Sequence, residues 1–250
     1  MTFEEYINNP MGLKNAVFSN RNLYRDLYTD KFNKLMVREN SKIDYAILKS
    51  KSAYYILLKI PSEAVEEVYY DVCIKFDIKS VVPKLSIKDC PVKFYSNDPY
   101  FCYTFAYAFN KRKIFVEELS SKIDKEFLKD RAKERNPSNE VGYDKALYFA
   151  FLAMQLKGLF SLAKLESECK PYSEKLLLSL VTHSKDKIQE RQERGYLKNK
   201  SAKKEKRNTI DNRTYNGTNT GNIRKTGTVN SVRSSSSVKS IRKSKIIGKR

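Results

Sequence analysis

The sequence predicts an α+β domain, a four-stranded antiparallel sheet covered by helices, followed by a disordered basic C-terminal tail. Three observations carry this expectation. Apolar residues recur at helical spacing early in the chain and again beyond residue 98. Between these stretches, from about residue 43 to residue 95, they alternate with a period of two. Beyond residue 197 aromatic side chains all but vanish and cations take over.

The first helix is read from SNRNLYRDLYTDKFNKLM, residues 19–36, where Tyr24, Leu27, Tyr28, Phe32 and Leu35 fall on one side and Ser19 can cap. Three strands follow. Ile43, Tyr45 and Ile47 share a face of KIDYAILK, and Tyr54, Ile56, Leu58 and Ile60 share a face of YYILLKI. In VYYDVCIKF the shared face is Tyr70, Val72, Ile74 and Phe76, with Asp71 and Lys75 opposite. Such alternation suits an antiparallel sheet covered on one side. PVKFY, residues 91–95, adds the fourth strand. It runs into SNDP, where Asp98 can cap a helix and Pro99 suits the first helical position, because the N–H that proline lacks has no partner there.

On the helix so begun, Tyr100, Tyr103 and Tyr107 form one stripe and Phe101, Phe105 and Phe109 another, roughly opposite. The phenylalanine side faces the core. The tyrosine side suits a second packed layer, a subunit contact or a stacking platform for bases. Stacking platforms interleave cations with their rings, yet no Lys or Arg lies between Lys93 and Lys111. Tyr100, Tyr103 and Tyr107 are therefore assigned to a core or protein interface.

Residues 111–135 read as a solvated amphipathic helix with Ile114, Phe115, Leu119, Ile123, Phe127 and Leu128 on its apolar side. NPSNEVG breaks the chain before an apolar helix at 140–160, and KPYSEKLLLSLVTHSKDKIQERQERG makes a last helix ending near Gly195. No internal repeat is visible.

Several function classes lose support. The longest apolar run, ALYFAFLAM at 146–154, is far shorter than the roughly 20 residues that span a bilayer. Cys73, Cys90, Cys102 and Cys169 form no C-x-x-C, and with no signal peptide at MTFEEY they are expected as reduced, mostly buried thiols of a cytoplasmic protein. His183 is the only histidine and is expected as an ordinary helix-surface residue. Phosphate-loop, dinucleotide and nucleophile-elbow glycine motifs are missing. Asp71 and Asp98 could meet to hold Mg²⁺, but a helix cap and a polar strand face already account for them. No enzymatic activity, cofactor, metal or small-molecule substrate is expected.

Residues 198–250 carry sixteen Lys and Arg against two acids, Glu205 and Asp211, and so +14 of the total +20. Their one aromatic residue is Tyr215. Such a segment cannot offset an ordering cost of roughly 1–2 kcal/mol per residue, which leaves residues 1–197 as the globular part. The candidate nucleic-acid-binding residues are Lys198, Lys200, Lys203, Lys204, Lys206, Arg207, Arg224, Lys225, Arg233, Lys239, Arg242, Lys243, Lys245, Lys249 and Arg250. Spaced through Ser, Thr, Asn and Gly, these cations can settle on successive phosphates without a preferred sequence. An acidic protein face is the other polyanion they fit, and a merely solubilising terminus is the plainest account of them.

The phrases MTFEEYINNPMG, RENSKIDYAILK, KFYSNDPYFCYTFAYAF and KERNPSNEVGYDKALYFAF resemble a protein family encoded by tailed bacteriophages of low-GC or gut bacteria. The likeness covers much of residues 1–160, and members of that family similarly end in a Lys-, Ser- and Thr-rich tail. It implies a virion structural protein such as a head-to-tail connector, neck or internal component. Such a subunit would associate with itself and other virion proteins, in the host cytoplasm during assembly and then in the virion. No catalytic or ligand residues transfer from the resemblance. The rival expectation is a cytoplasmic protein that binds nucleic acid without sequence specificity, the sheet or tyrosine stripe joining the tail.

Overall fold

Nine-residue strands at the centre of the chain set the architecture. β2 (Ala53–Pro61) and β3 (Tyr69–Asp77) pair antiparallel along their whole length, from Ala53 opposite Asp77 to Pro61 opposite Tyr69. β1 (Tyr45–Lys49) flanks β2 and β4 (Val92–Ser96) flanks β3, both antiparallel. The computed structural model describes residues 1–8, 21–79, 85–130, 136, 139, 141–142 and 144–195, with the side chains of 21–25 excepted. The basic stretch 198–250 and Ser19 lie outside the described residues.

The expected four-stranded antiparallel sheet is corrected to a mixed five-stranded one, in the order β4-β3-β2-β1-β5. β5 is only Lys170–Pro171, parallel to β1 with Leu48 opposite Lys170. Two residues carry no periodicity, so only the return of the chain past β1 makes them a strand.

One-sided cover is corrected as well. On the first face, Phe76, Phe94 and Ile56 meet α1 (Phe3–Asn8) and α6 (Lys145–Leu156), and all three strand residues are fully buried. The Phe3 ring packs edge-on against Phe94 and Phe151, each 5.2 Å away, and Tyr6 lies 4.7 Å from Phe94. Each buried ring contributes roughly 2–3 kcal/mol through area alone. α2 (Arg21–Arg38) completes this layer, with Phe32, Leu35 and Met36 buried, whereas Leu27, expected beside them, is exposed.

The opposite face presents Tyr55, Leu57, Cys73 and Tyr95, also buried. Its cover is a 3₁₀ helix (Glu117–Lys122) and the chain around Tyr172, whose ring stacks on Tyr55 at 4.7 Å. The Tyr55 hydroxyl donates to Glu118 Oε1 at 2.7 Å, and the same oxygen pairs with the Lys75 ammonium.

Asp98 and Pro99 start a helix as expected, Asp98 Oδ1 accepting from the Tyr100 N–H at 3.3 Å. The helix is interrupted at Phe105, dividing it into α3 (Pro99–Thr104) and α4 (Ala106–Lys111). Phe105 also explains Gly142, where a Cβ would stand 2.2 Å from the Phe105 ring.

The continuous helix expected after residue 111 does not form among the described residues. Instead the Phe94 N–H donates to Ile114 O at 2.8 Å and the Val116 N–H to Phe94 O at 3.1 Å, so the chain borders edge strand β4. This pairing shields backbone groups that an open edge would leave exposed. Phe115, Leu119 and Ile123 are buried all the same, and α5 (Lys125–Lys129) is a single short turn; residues 131–135 lie outside the described residues.

α7 (Leu162–Glu168) leads to β5 and then to α8 (Glu174–Ser179), which Ser173 caps through a 3.1 Å bond from the Leu176 N–H. The last predicted helix is therefore two, the second comprising described residues 184–195. His183 sits at the break, not on a helix face: its Nδ1 accepts from the Lys185 N–H at 3.2 Å. The break exists because the Thr182 N–H is drawn to Asp71 Oδ2 at 2.8 Å.

Candidate functional site

The tyrosine stripe divides between two recesses. Tyr100 and Tyr103 are 44% and 43% exposed, and Tyr107 is half-buried. Tyr103 and Tyr107 line a depression of about 230 Å³ with Thr104, Glu126 and Asp130. Tyr103 meets the Phe127 ring at 4.8 Å, and the Lys111 ammonium lies 5.9 Å from the Tyr107 ring centre. Tyr100 turns instead to a larger cavity of about 330 Å³.

That cavity lies where the ends of several elements converge. The β2–β3 hairpin contributes Ile60, Pro61, Ser62, Glu63 and Tyr70. α2 supplies Tyr28, the start of α3 supplies Asp98 and Tyr100, the first turns of α6 supply Lys145 and Phe149, and the final helix supplies Arg191. A volume near 300 Å³ is the lower end of small-molecule sites.

Its charged groups differ in how they are held. Glu63 bridges two lysines, Lys31 at 2.8 Å and Lys145 at 2.6 Å. Burial opposes its charge, but the hydrogen bonds from Lys145 and Lys31 prevail and keep its carboxyl below the usual range. Asp98 is buried, which pushes its carboxyl up, the Tyr100 N–H and the charges of Arg191 and Lys145 offsetting this only in part. The second Asp98 oxygen and the Arg191 guanidinium make no hydrogen bond or ion pair among the described residues.

Behind the cavity wall, Asp144 caps α6 by accepting from the Ala146 N–H at 2.8 Å. Its backbone N–H donates to the Tyr6 hydroxyl, which itself donates to Gly142 O. Asp144 Oδ2 is buried without a hydrogen-bond partner among the described residues. Burial first, and then the Asp98 charge, raise the Asp144 carboxyl well above the ordinary carboxylate range.

A folded-state pKa above the unfolded one adds stability that is complete below the unfolded value and is lost as pH rises through the folded value. Asp144→Asn keeps the cap oxygen and removes the titration, so its stability relative to the native chain is expected to increase from about pH 4 to about pH 8. Urea unfolding at both ends of this range measures it. A constant difference between the two proteins would contradict the assignment.

The carboxylate pair considered from sequence, Asp71 with Asp98, is not available for Mg²⁺. Asp71 Oδ1 takes the Lys59 ammonium at 2.6 Å, and Oδ2 accepts from Asn97 Nδ2 at 2.9 Å and from the Thr182 N–H. No group of three or more His, Cys, Asp or Glu with metal-holding geometry occurs among the described residues. Cys73, Cys90, Cys102 and Cys169 are not joined in disulfides, and burial pushes the Cys73 and Cys102 thiols up, away from the reactive thiolate. No helix among the described residues is long and apolar enough to cross a membrane.

Sequence reasoning singled out Asp98 as a helix cap and Tyr100 as an interface residue, but missed Glu63, Lys145 and Arg191 as their neighbours, and the tail cations lie outside the described residues. Nothing local marks these three, because each looks like a solvated charge. No family model, curated protein or solved structure matches the chain.

Proposed function

We propose that this chain is a non-enzymatic structural subunit of a tailed-phage virion, a connector, neck or internal component, whose basic tail holds packaged DNA or an acidic neighbour. The observation that carries the proposal is the partition of charge: +14 of the total +20 falls on residues 198–250. Many domain cations already face carboxylates, as in Lys49 with Glu166, Lys93 with Glu117 and Arg194 with Glu67. The tail has two acids for sixteen bases, so its cations need an outside counter-charge. The resemblance to tailed-phage proteins read in phrases of residues 1–160 is what suggests the virion as the setting. Tyr100 and Tyr103, both more than two-fifths exposed, are the side chains proposed for a subunit contact, with Tyr107 at its margin.

Mass spectrometry of purified virions tests this. Peptides of the chain are expected at a fixed ratio to the capsid protein. Their absence from intact virions would reject the structural role and favour an intracellular nucleic-acid-binding protein.

A further inference from the structure

Two groups in the 330 Å³ cavity stand out by what they do not touch. Buried arginines and aspartates are ordinarily paired, since an uncompensated charge taken from water is costly. Here Arg191 is half-buried and Asp98 is 6% exposed, yet the two form no ion pair with each other. Lys145 and Glu63 do not satisfy them, because they are committed to each other and to Lys31. The cavity thus offers one open anion acceptor and one open cation acceptor, beside a Lys31–Glu63–Lys145 cluster that carries one excess positive charge.

The space between is apolar and aromatic. Ile60, Pro61 and Ala146 line it, with Phe149 and the rings of Tyr28 and Tyr100. The Phe149 ring packs on Phe32 at 5.7 Å and Tyr100 edge-on to Phe105 at 5.5 Å, and neither partner lines the cavity, so both walls are braced from behind. The volume admits one small molecule rather than a chain segment.

A pure anion would suit Arg191 and repel Asp98, and a pure cation the reverse. We propose that this cavity binds a zwitterion of amino-acid size with an apolar or aromatic side chain, its carboxylate on Arg191 and its ammonium on Asp98. Both contacts are charge-assisted hydrogen bonds made out of bulk water, where they are strong. The ligand ammonium also supplies the counter-charge that Asp98 lacks, so binding and ionisation of Asp98 support each other. The site differs from the sequence expectation of no small-molecule partner, and it does not depend on the proposed virion role.

The test titrates L-phenylalanine and L-leucine into the full-length protein, followed by calorimetry and by the NMR signals of residues around the cavity. Saturable binding is expected, with shifts at Tyr70, Tyr100 and Phe149. N-acetyl-phenylalanine, which lacks the ammonium, and phenylalanine amide, which lacks the carboxylate, are each expected to bind about tenfold more weakly or worse. Arg191→Gln, at a side chain with no bonds to lose, is expected to keep the melting temperature and to erase the difference between phenylalanine and its amide. Asp98→Asn retains a capping oxygen and is expected to erase the difference between phenylalanine and its N-acetyl form. The proposal is overturned if neither amino acid binds, if the blocked derivatives bind equally well, or if Arg191→Gln leaves carboxylate selectivity intact.

Discussion

Removal of residues 198–250 is expected to abolish salt-sensitive binding to DNA. Neutralising about ten phosphates gives the full chain a slope near −9 in log K against log salt, a loss of about 10⁵ in affinity between 50 and 200 mM. Residues 1–197 carry only +6, and their charge is spread among many ion pairs, so the truncated protein is expected to show weak binding and a shallow slope. Filter binding over a salt series, on duplexes of unrelated sequence, reads both quantities, with circular dichroism to verify the fold. If the truncated protein kept the steep slope, affinity would reside in the domain, and the tail would be a solubilising terminus.

The second large effect is expected at Asp71. This carboxylate, buried on β3, joins three elements: Lys59 on β2, Asn97 after β4 and the Thr182 N–H before the final helix. The Asp71 N–H also donates to Asn97 Oδ1 at 2.7 Å. In Asp71→Ala the half-exposed Lys59 can return to water, but one N–H of the fully buried Asn97 amide, whose other N–H keeps Thr182 O, and the Thr182 N–H lose their acceptor. Leaving two donors unsatisfied costs about 3 kcal/mol, or roughly 6–12 °C in melting temperature for a domain of this size. Asp71→Asn, which retains one acceptor, is expected to lose about half as much. Amide exchange in residues 184–195 is expected to accelerate before exchange in β2 and β3, because the clamp holds the end of the chain while the sheet has its own ladder. An alanine variant that melts with the native protein would remove the clamp from the account.

Much of the sheet was legible because its signal is local. The alternating runs at residues 43–76 and the Asp98-Pro99 start of a helix need only neighbouring residues to define them. The second buried face left a trace too: YYILLKI is apolar on both sides of the strand, with Tyr55 and Leu57 as well as Ile56 and Leu58. Near-continuous apolar runs of this kind mark strands covered on both faces. The course of residues 111–130 was misread for a different reason. Its apolar spacing satisfies a helix, but the unpaired edge of β4 competes for the same backbone, and an edge next to Phe115 exists only after β4 has folded.

The cavity was beyond the reach of sequence pattern altogether. Glu63, Asp98, Lys145 and Arg191 are separated by 35, 47 and 46 positions, and no periodicity links them. By itself the sequence determined the charge partition, the four main strands, the aromatic core and the cap at Asp98, since each follows from composition or from side chains a few residues apart. Only the tertiary structure decided which charges are paired and which stay open, where the edges of the sheet are covered, and that Tyr100 faces a different recess from Tyr103 and Tyr107. Pairing and burial depend on distances across the fold, and these are set by how the two faces of the sheet are packed.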